Sequence, residues 1–67
     1  MPSITNIIKD LRTRKQITQE QLAQAVGVSR QTIIAIEKGN YTPSLLLAMQ
    51  LAEFFHVPTD NLFSVKK

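Results

Sequence analysis

"TQEQLAQAVGVSRQTIIAIEK", residues 18–38, decides the fold, because it holds two short apolar patterns on either side of a glycine. Thr18 with Gln21 three residues on has the form of a capping box, in which a hydroxyl and an amide side chain each satisfy a backbone N–H at a helix start. Leu22, Ala23 and Val26 then recur at helical spacing, and Gly27 follows at once. A glycine just past a helix takes left-handed backbone at no steric cost, so the helix is expected to end there and the chain to turn sharply. Ser29 is placed to cap a second helix running to about Lys38, with Ile33 and Ile36 turned inward and Gly39 closing it. Ala23, one turn before Gly27, supplies the small residue that two closely crossing helices need. With Ile33 and Ile36 buried, the opposite edge is held toward solvent: Ser29, Arg30, Gln31, Ile34, Ala35 and Lys38.

Upstream, Ile4, Ile7, Ile8 and Leu11 fit the stripe of an amphipathic helix, whose polar face would carry Lys9, Asp10, Arg12, Arg14 and Lys15. Downstream, Thr42 before Pro43 reads as a helix start, since proline has no amide to lose in a first turn. Leu45, Ala48, Leu51, Ala52 and Phe55 predict a broad apolar face for that helix. Pro58 stops it. A short last helix over Thr59 to Phe63 is expected to lay Leu62 and Phe63 on the core, leaving "SVKK" as a tail or a brief strand. The chain has no internal repeat, linker or low-complexity segment.

Its 67 residues make a single domain, 1–67, the expected organisation. A domain this small buries only about 60% of its unfolded surface, so its apolar residues have to be used efficiently. The 43% hydrophobic and 19% charged content belongs to a folded chain. Without cysteine there is no disulfide framework, and one histidine without cysteine excludes a structural metal site. The longest apolar runs, such as "LLLAM", fall far short of the roughly 20 residues that span a bilayer, so a soluble cytoplasmic protein with no membrane partner is expected. A net charge of +3 and an isoelectric point near 9.7 favour an anionic partner. The five acidic residues are dispersed, and no glycine-rich phosphate loop or G-x-S-x-G turn is present. An enzyme, a cofactor and a small-molecule ligand are therefore not expected.

The stretch "TQEQLAQAVGVSRQTI" followed by "IEKGNYTPS" resembles the helix-turn-helix of the Cro and phage-repressor family, and "LAEFFHVPTDNLF" resembles the last helices of its short members. The likeness runs from about Ile7 to Phe63. It implies an all-α, five-helix lambda-repressor-like domain, with the helix-turn-helix at helices 2 and 3, that binds double-stranded DNA, commonly as a homodimer on a two-fold operator. Carried over, base contacts fall on Ser29, Arg30, Gln31 and Ala35, and Ile34 on the same edge is a further candidate. Backbone contacts fall on Gln19, Lys38, Asn40, Tyr41 and Thr42, with Arg14 and Lys15 as further candidates. Arginine pairs bidentately with guanine, glutamine with adenine, and an apolar side chain can touch a thymine methyl. Ala35 replaces the polar side chain of several family members, which leaves a methyl contact or none. Arg12 and Glu37 match a paired arginine and glutamate that lock helix 1 to the end of helix 3.

Plainer readings stand beside these. Arg30 and Gln31 also suit a solvated helix start, Ile34 also suits packing against helix 4, and Arg14 and Lys15 also suit an ordinary charged face. Leu46 reads as a scattered surface leucine, with a subunit contact as the lesser reading. His56 reads as a residue at a helix end interacting with free carbonyls. For a homodimer surface, the segments Leu62 to Val65 and around Ile4 are the candidates. The function expected is a sequence-specific transcriptional regulator, most plainly a repressor. The alternative is an antitoxin or adaptor that grips a protein and binds DNA without discriminating sequence.

Overall fold

The computed structural model describes residues 3–66. In chain order it contains β1 (Ser3–Asn6), α1 (Ile8–Arg14), α2 (Gln19–Val26), α3 (Arg30–Glu37), α4 (Leu45–Phe55), α5 (Thr59–Leu62) and β2 (Phe63–Lys66). Five helices surround one cluster of buried side chains: Ile8, Leu22, Ala23, Val26, Ile33, Ile36, Leu47, Leu51, Ala52, Phe55 and Leu62. Two short antiparallel strands join the ends of the chain, with Ser3 opposite Lys66, Ile4 opposite Val65 and Asn6 opposite Phe63.

The capping box of α2 is complete. Thr18 Oγ1 accepts from the Gln21 N–H at 3.0 Å, and Gln21 Oε1 accepts from the Thr18 N–H at 2.7 Å. Gly27 ends α2 with φ +77°, and a Cβ built on it would meet nothing within 4 Å. A side chain there therefore costs backbone strain alone. Gly27→Val is expected to destabilise the fold by at least about 1 kcal/mol, the cost of left-handed backbone for a branched residue. A melting temperature unchanged by the substitution would show that the turn tolerates a side chain.

Three expectations are corrected. Ile4 belongs to β1 and not to helix 1, which begins only at Ile8, and Ile7 precedes it 42% exposed. The cause is local: Asn6 Oδ1 accepts the Ile8 N–H at 3.1 Å while its Nδ2 donates to the Ile36 carbonyl at 3.0 Å. One side chain thus starts α1 and pins the strand to the end of α3. Secondly, the cap of α4 is Ser44, whose Oγ accepts the Leu47 N–H at 3.2 Å, so Thr42 and Pro43 lie in the preceding loop. That start turns Leu47 into the core and leaves Leu45, expected inside, 74% exposed. Thirdly, α5 stops at Leu62, and Phe63, expected in the helix, opens β2, which runs on to Lys66 as the brief strand that was one of the two expectations for this segment.

His56 is the left-handed C-cap of α4, at φ +57°. Its backbone N–H, and not its imidazole, bonds the Ala52 and Glu53 carbonyls.

Candidate nucleic-acid interface

α3 is built to be held from one side. Ile33 and Ile36 are 0% exposed, whereas Arg30, Gln31 and Lys38 are exposed and Ile34 and Ala35 are half-buried. Positions 31, 34, 35 and 38 follow the i, i+3, i+4, i+7 rule for one helical face, so a polar, cationic and methyl-bearing stripe runs along the solvent side. Arg30 and Gln31 make no side-chain hydrogen bond among the described residues, which leaves their donors and acceptors open to a ligand.

Ser29 behaves differently. Its Oγ accepts the Thr32 N–H at 3.2 Å and lies 3.0 Å from Thr32 Oγ1, so the hydroxyl caps α3. Lys38 is the exposed C-cap at the other end. The chain then folds back, with the Gly39 N–H on the Ile36 carbonyl and the Asn40 N–H on the Ala35 carbonyl at 2.9 Å. Asn40, Tyr41 and Thr42 follow as an exposed loop.

At the far end of the stripe, three helices meet in one polar knot. Arg12 Nε donates to Glu37 Oε2 at 2.7 Å, its second terminal nitrogen donates to Glu37 Oε1 at 3.2 Å, and its first donates to the Ile17 carbonyl at 3.0 Å. The side chains are 14% and 4% exposed. Hydrogen bonding to the Glu37 carboxylate, helped by its charge, outweighs desolvation and raises the Arg12 pKa above its already high ordinary value. The guanidinium stays charged.

Gln19, the first residue of α2, joins the knot: its Nε2 donates to Glu37 Oε1 at 3.1 Å. An amide has two N–H groups, so one remains for a second acceptor. Gln19 and Arg30 line the same surface hollow of about 500 Å³, together with Arg12, Gln16, Thr18 and Glu20. Gln19, expected to touch backbone, and Arg30, expected to touch a base, therefore line one hollow. Arg14 is exposed at the end of α1. Lys15 has its ammonium 5.5 Å from the centre of the Phe54 ring, a cation–π arrangement that directs it to α4.

The Ser29 cap on α3 was legible in the sequence, whereas the Gln19–Glu37 contact, the Ser29 Oγ–Thr32 Oγ1 contact and the two roles of Asn6 were not. Only Asn6 carried a signal, being a cap-forming residue just ahead of an apolar run. No group of metal-binding side chains occurs among the described residues, and no helix is long and apolar enough to cross a membrane.

Two short helices joined through a left-handed glycine, the second buried along one edge and open along the other, define a helix-turn-helix protein. Residues 8–62 match the helix-turn-helix family, and the chain belongs to it, in the Cro and phage-repressor type. It is 55% identical over 58 residues to the uncharacterized HTH-type transcriptional regulator MJ0272 of Methanocaldococcus jannaschii, covering 87% of this chain and 88% of that one. It is 40% identical over 57 residues to the cryptic phage CTXphi transcriptional repressor RstR of Vibrio cholerae, covering 85% of this chain and 51% of RstR. The crystal structure of the restriction-modification controller protein C.AhdI from Aeromonas hydrophila superposes with a TM-score of 0.74 at 30% identity, over 81% of this chain and 82% of C.AhdI. Proteins of this family are DNA-binding transcriptional regulators, and the chain is one of them.

Proposed function

We propose that the chain is a sequence-specific repressor that binds a two-fold operator as a homodimer and occupies a promoter with α3 in the major groove. The observation that carries this reading is the outward stripe of α3, open from Arg30 to Lys38 while Ile33 and Ile36 are wholly buried behind it. Arg30 and Gln31 read base edges, and Ile34 and Ala35 offer methyl contacts to thymine. Ser29 contributes through the cap that sets the angle of the first turn. Gln19, Arg14, Lys38 and the loop of Asn40, Tyr41 and Thr42 hold phosphates. A domain seated in a promoter groove blocks other proteins by its bulk, so repression needs no further activity. The repressor name of RstR supports that sign.

Selection of bound sites from random duplexes at two salt concentrations tests the reading. A sequence preference that survives the higher salt is expected, because contacts to bases persist when released counterions no longer favour binding. Lys38→Ala should weaken binding to all duplexes alike and reduce the slope of log affinity against log salt by about one, as loss of one phosphate contact requires. Binding that never discriminates sequence would hand the function to the adaptor reading.

A further inference from the structure

The inner side of α4 is filled by Leu47, Ala48, Leu51, Ala52 and Phe55, none more than 8% exposed. The first two turns of its outer side are apolar too. Leu45, Leu46 and Met49 are 74%, 68% and 55% exposed. At about 100° per residue these three fall within a sector of about 100°, so they form one patch on the first two turns. A helix that is apolar on both sides is normally covered on both sides. With 11 residues, α4 is too short to find that cover in a membrane.

We propose that this outer face of α4 is the docking surface for a second copy of the same chain, an inference that rests on the two-fold DNA-binding reading. Charge selects the occupant. In a two-fold interface each residue near the axis meets its own copy, so any charge there meets a like charge. This chain carries +3, and two copies repel wherever their cations approach. Residues 39–52, between Lys38 and Glu53, are the longest uncharged stretch in the chain, and the patch lies inside it. Self-packing on these first two turns has no like-charge cost, and a charged partner would find no counter-charge on them; exposed Glu53, in the same sector one turn past Met49, marks where the patch ends.

Area points the same way. A stable dimer buries about 800 Å² per partner, roughly a sixth of the 4776 Å² exposed here. The rival surface is the ribbon, where Ile4 and Val65 stand opposite each other, but Ile4 is only 39% exposed and Val65 62%. Two partly covered side chains on four-residue strands supply less apolar area than the three on α4. Only residues 38–44 separate α3 from α4, so an axis through the patch ties both α3 helices to the dimer centre by short loops.

Sedimentation equilibrium on the full chain tests the surface, with circular dichroism as the check on folding. The double substitution Leu46→Glu and Met49→Glu should raise the dimer dissociation constant at least about 100-fold with helix content unchanged, because two central contacts of a small interface are lost. Val65→Glu should leave dimerisation as it is. Since the chain has no cysteine, Leu46→Cys offers a second measurement that does not depend on a charged variant folding: it should cross-link to its own copy on oxidation, whereas Gln24→Cys on α2 should not. A wild-type monomer at every concentration, a dimer insensitive to the double substitution, a dimer broken by Val65→Glu, or absence of the Leu46→Cys cross-link would overturn the proposal. Binding to a duplex with a single half-site separates this from failure of the DNA reading. The double variant should bind such a duplex as the wild-type protomer does, and only loss of α3 recognition would abolish that binding.

Discussion

Arg12→Ala and Glu37→Ala are each expected to lower the stability of the fold by about 3 kcal/mol or more, because each leaves the other charge buried without its partner. A chain of this size has a total stability of roughly 3 to 10 kcal/mol, so either substitution removes a large share of it or unfolds the protein. The two losses should differ. Glu37 is 4% exposed at the side chain and would keep only the Gln19 amide, whereas Arg12 is 14% exposed and would keep the Ile17 carbonyl. Arg12 also has a flexible stem along which its head can reach water. Loss of the arginine should therefore cost more than loss of the glutamate. Replacing both at once, Arg12→Met with Glu37→Leu, should recover most of the stability, since an apolar pair pays no desolvation. Urea unfolding of the wild type, Arg12→Met, Glu37→Leu and the double variant closes a double-mutant cycle, and single losses under about 1 kcal/mol, in these or in the alanine variants, would show that the pair is held by exposed, screened charges.

The cycle also touches binding, because Glu37 holds Gln19 at 3.1 Å. That link was not legible in the sequence: residues 19 and 37 lie on different helices, and nothing in their spacing marks the contact. What was legible is local. Thr18 and Gln21 announce their own reciprocal bonds, Gly27 announces a left-handed turn, and Ile33 with Ile36 fixes which side of α3 faces out. The ribbon was hidden for the opposite reason. Its strands have four residues each and pair across nearly the whole chain, and Ile4, Ile7, Ile8 and Leu11 fit helical spacing as well as they fit a strand followed by a helix. In α4 two capping residues compete within three positions, Thr42 and Ser44; Ala48, Leu51, Ala52 and Phe55 face the core as expected, and only in the first turn is Leu47 buried in place of Leu45. At the candidate site, Ser29 had two available roles of which the cap is formed, and Lys15 found an aromatic ring that only the tertiary fold supplies.

A spacing change in the operator is expected to have the largest effect on function. If two α3 helices read successive major grooves, the half-site centres lie about 34 Å apart, one turn of the duplex. Inserting five base pairs between them turns one half-site to the far side, where the second protomer cannot reach it without breaking the dimer. Affinity should then fall to that of a single half-site, a loss of at least about 100-fold when the second protomer contributes as much as a modest specific contact set. Inserting a further five, which restores the face but not the distance, should leave the loss in place for a rigid dimer and relieve it for a flexible one. Within each half-site, Arg30→Ala and Gln31→Ala should cost about 1 to 3 kcal/mol on the preferred sequence, relax the choice at one base pair each, and barely change stability, because both side chains are exposed and unpaired among the described residues. The two experiments fail in different ways. If the insertion is harmless while the substitutions still cost selectivity, the chain reads DNA as a single protomer. If Arg30→Ala weakens random and preferred duplexes equally, Arg30 holds phosphate from the hollow it shares with Gln19, and the bases are read farther along α3, from Gln31 onward.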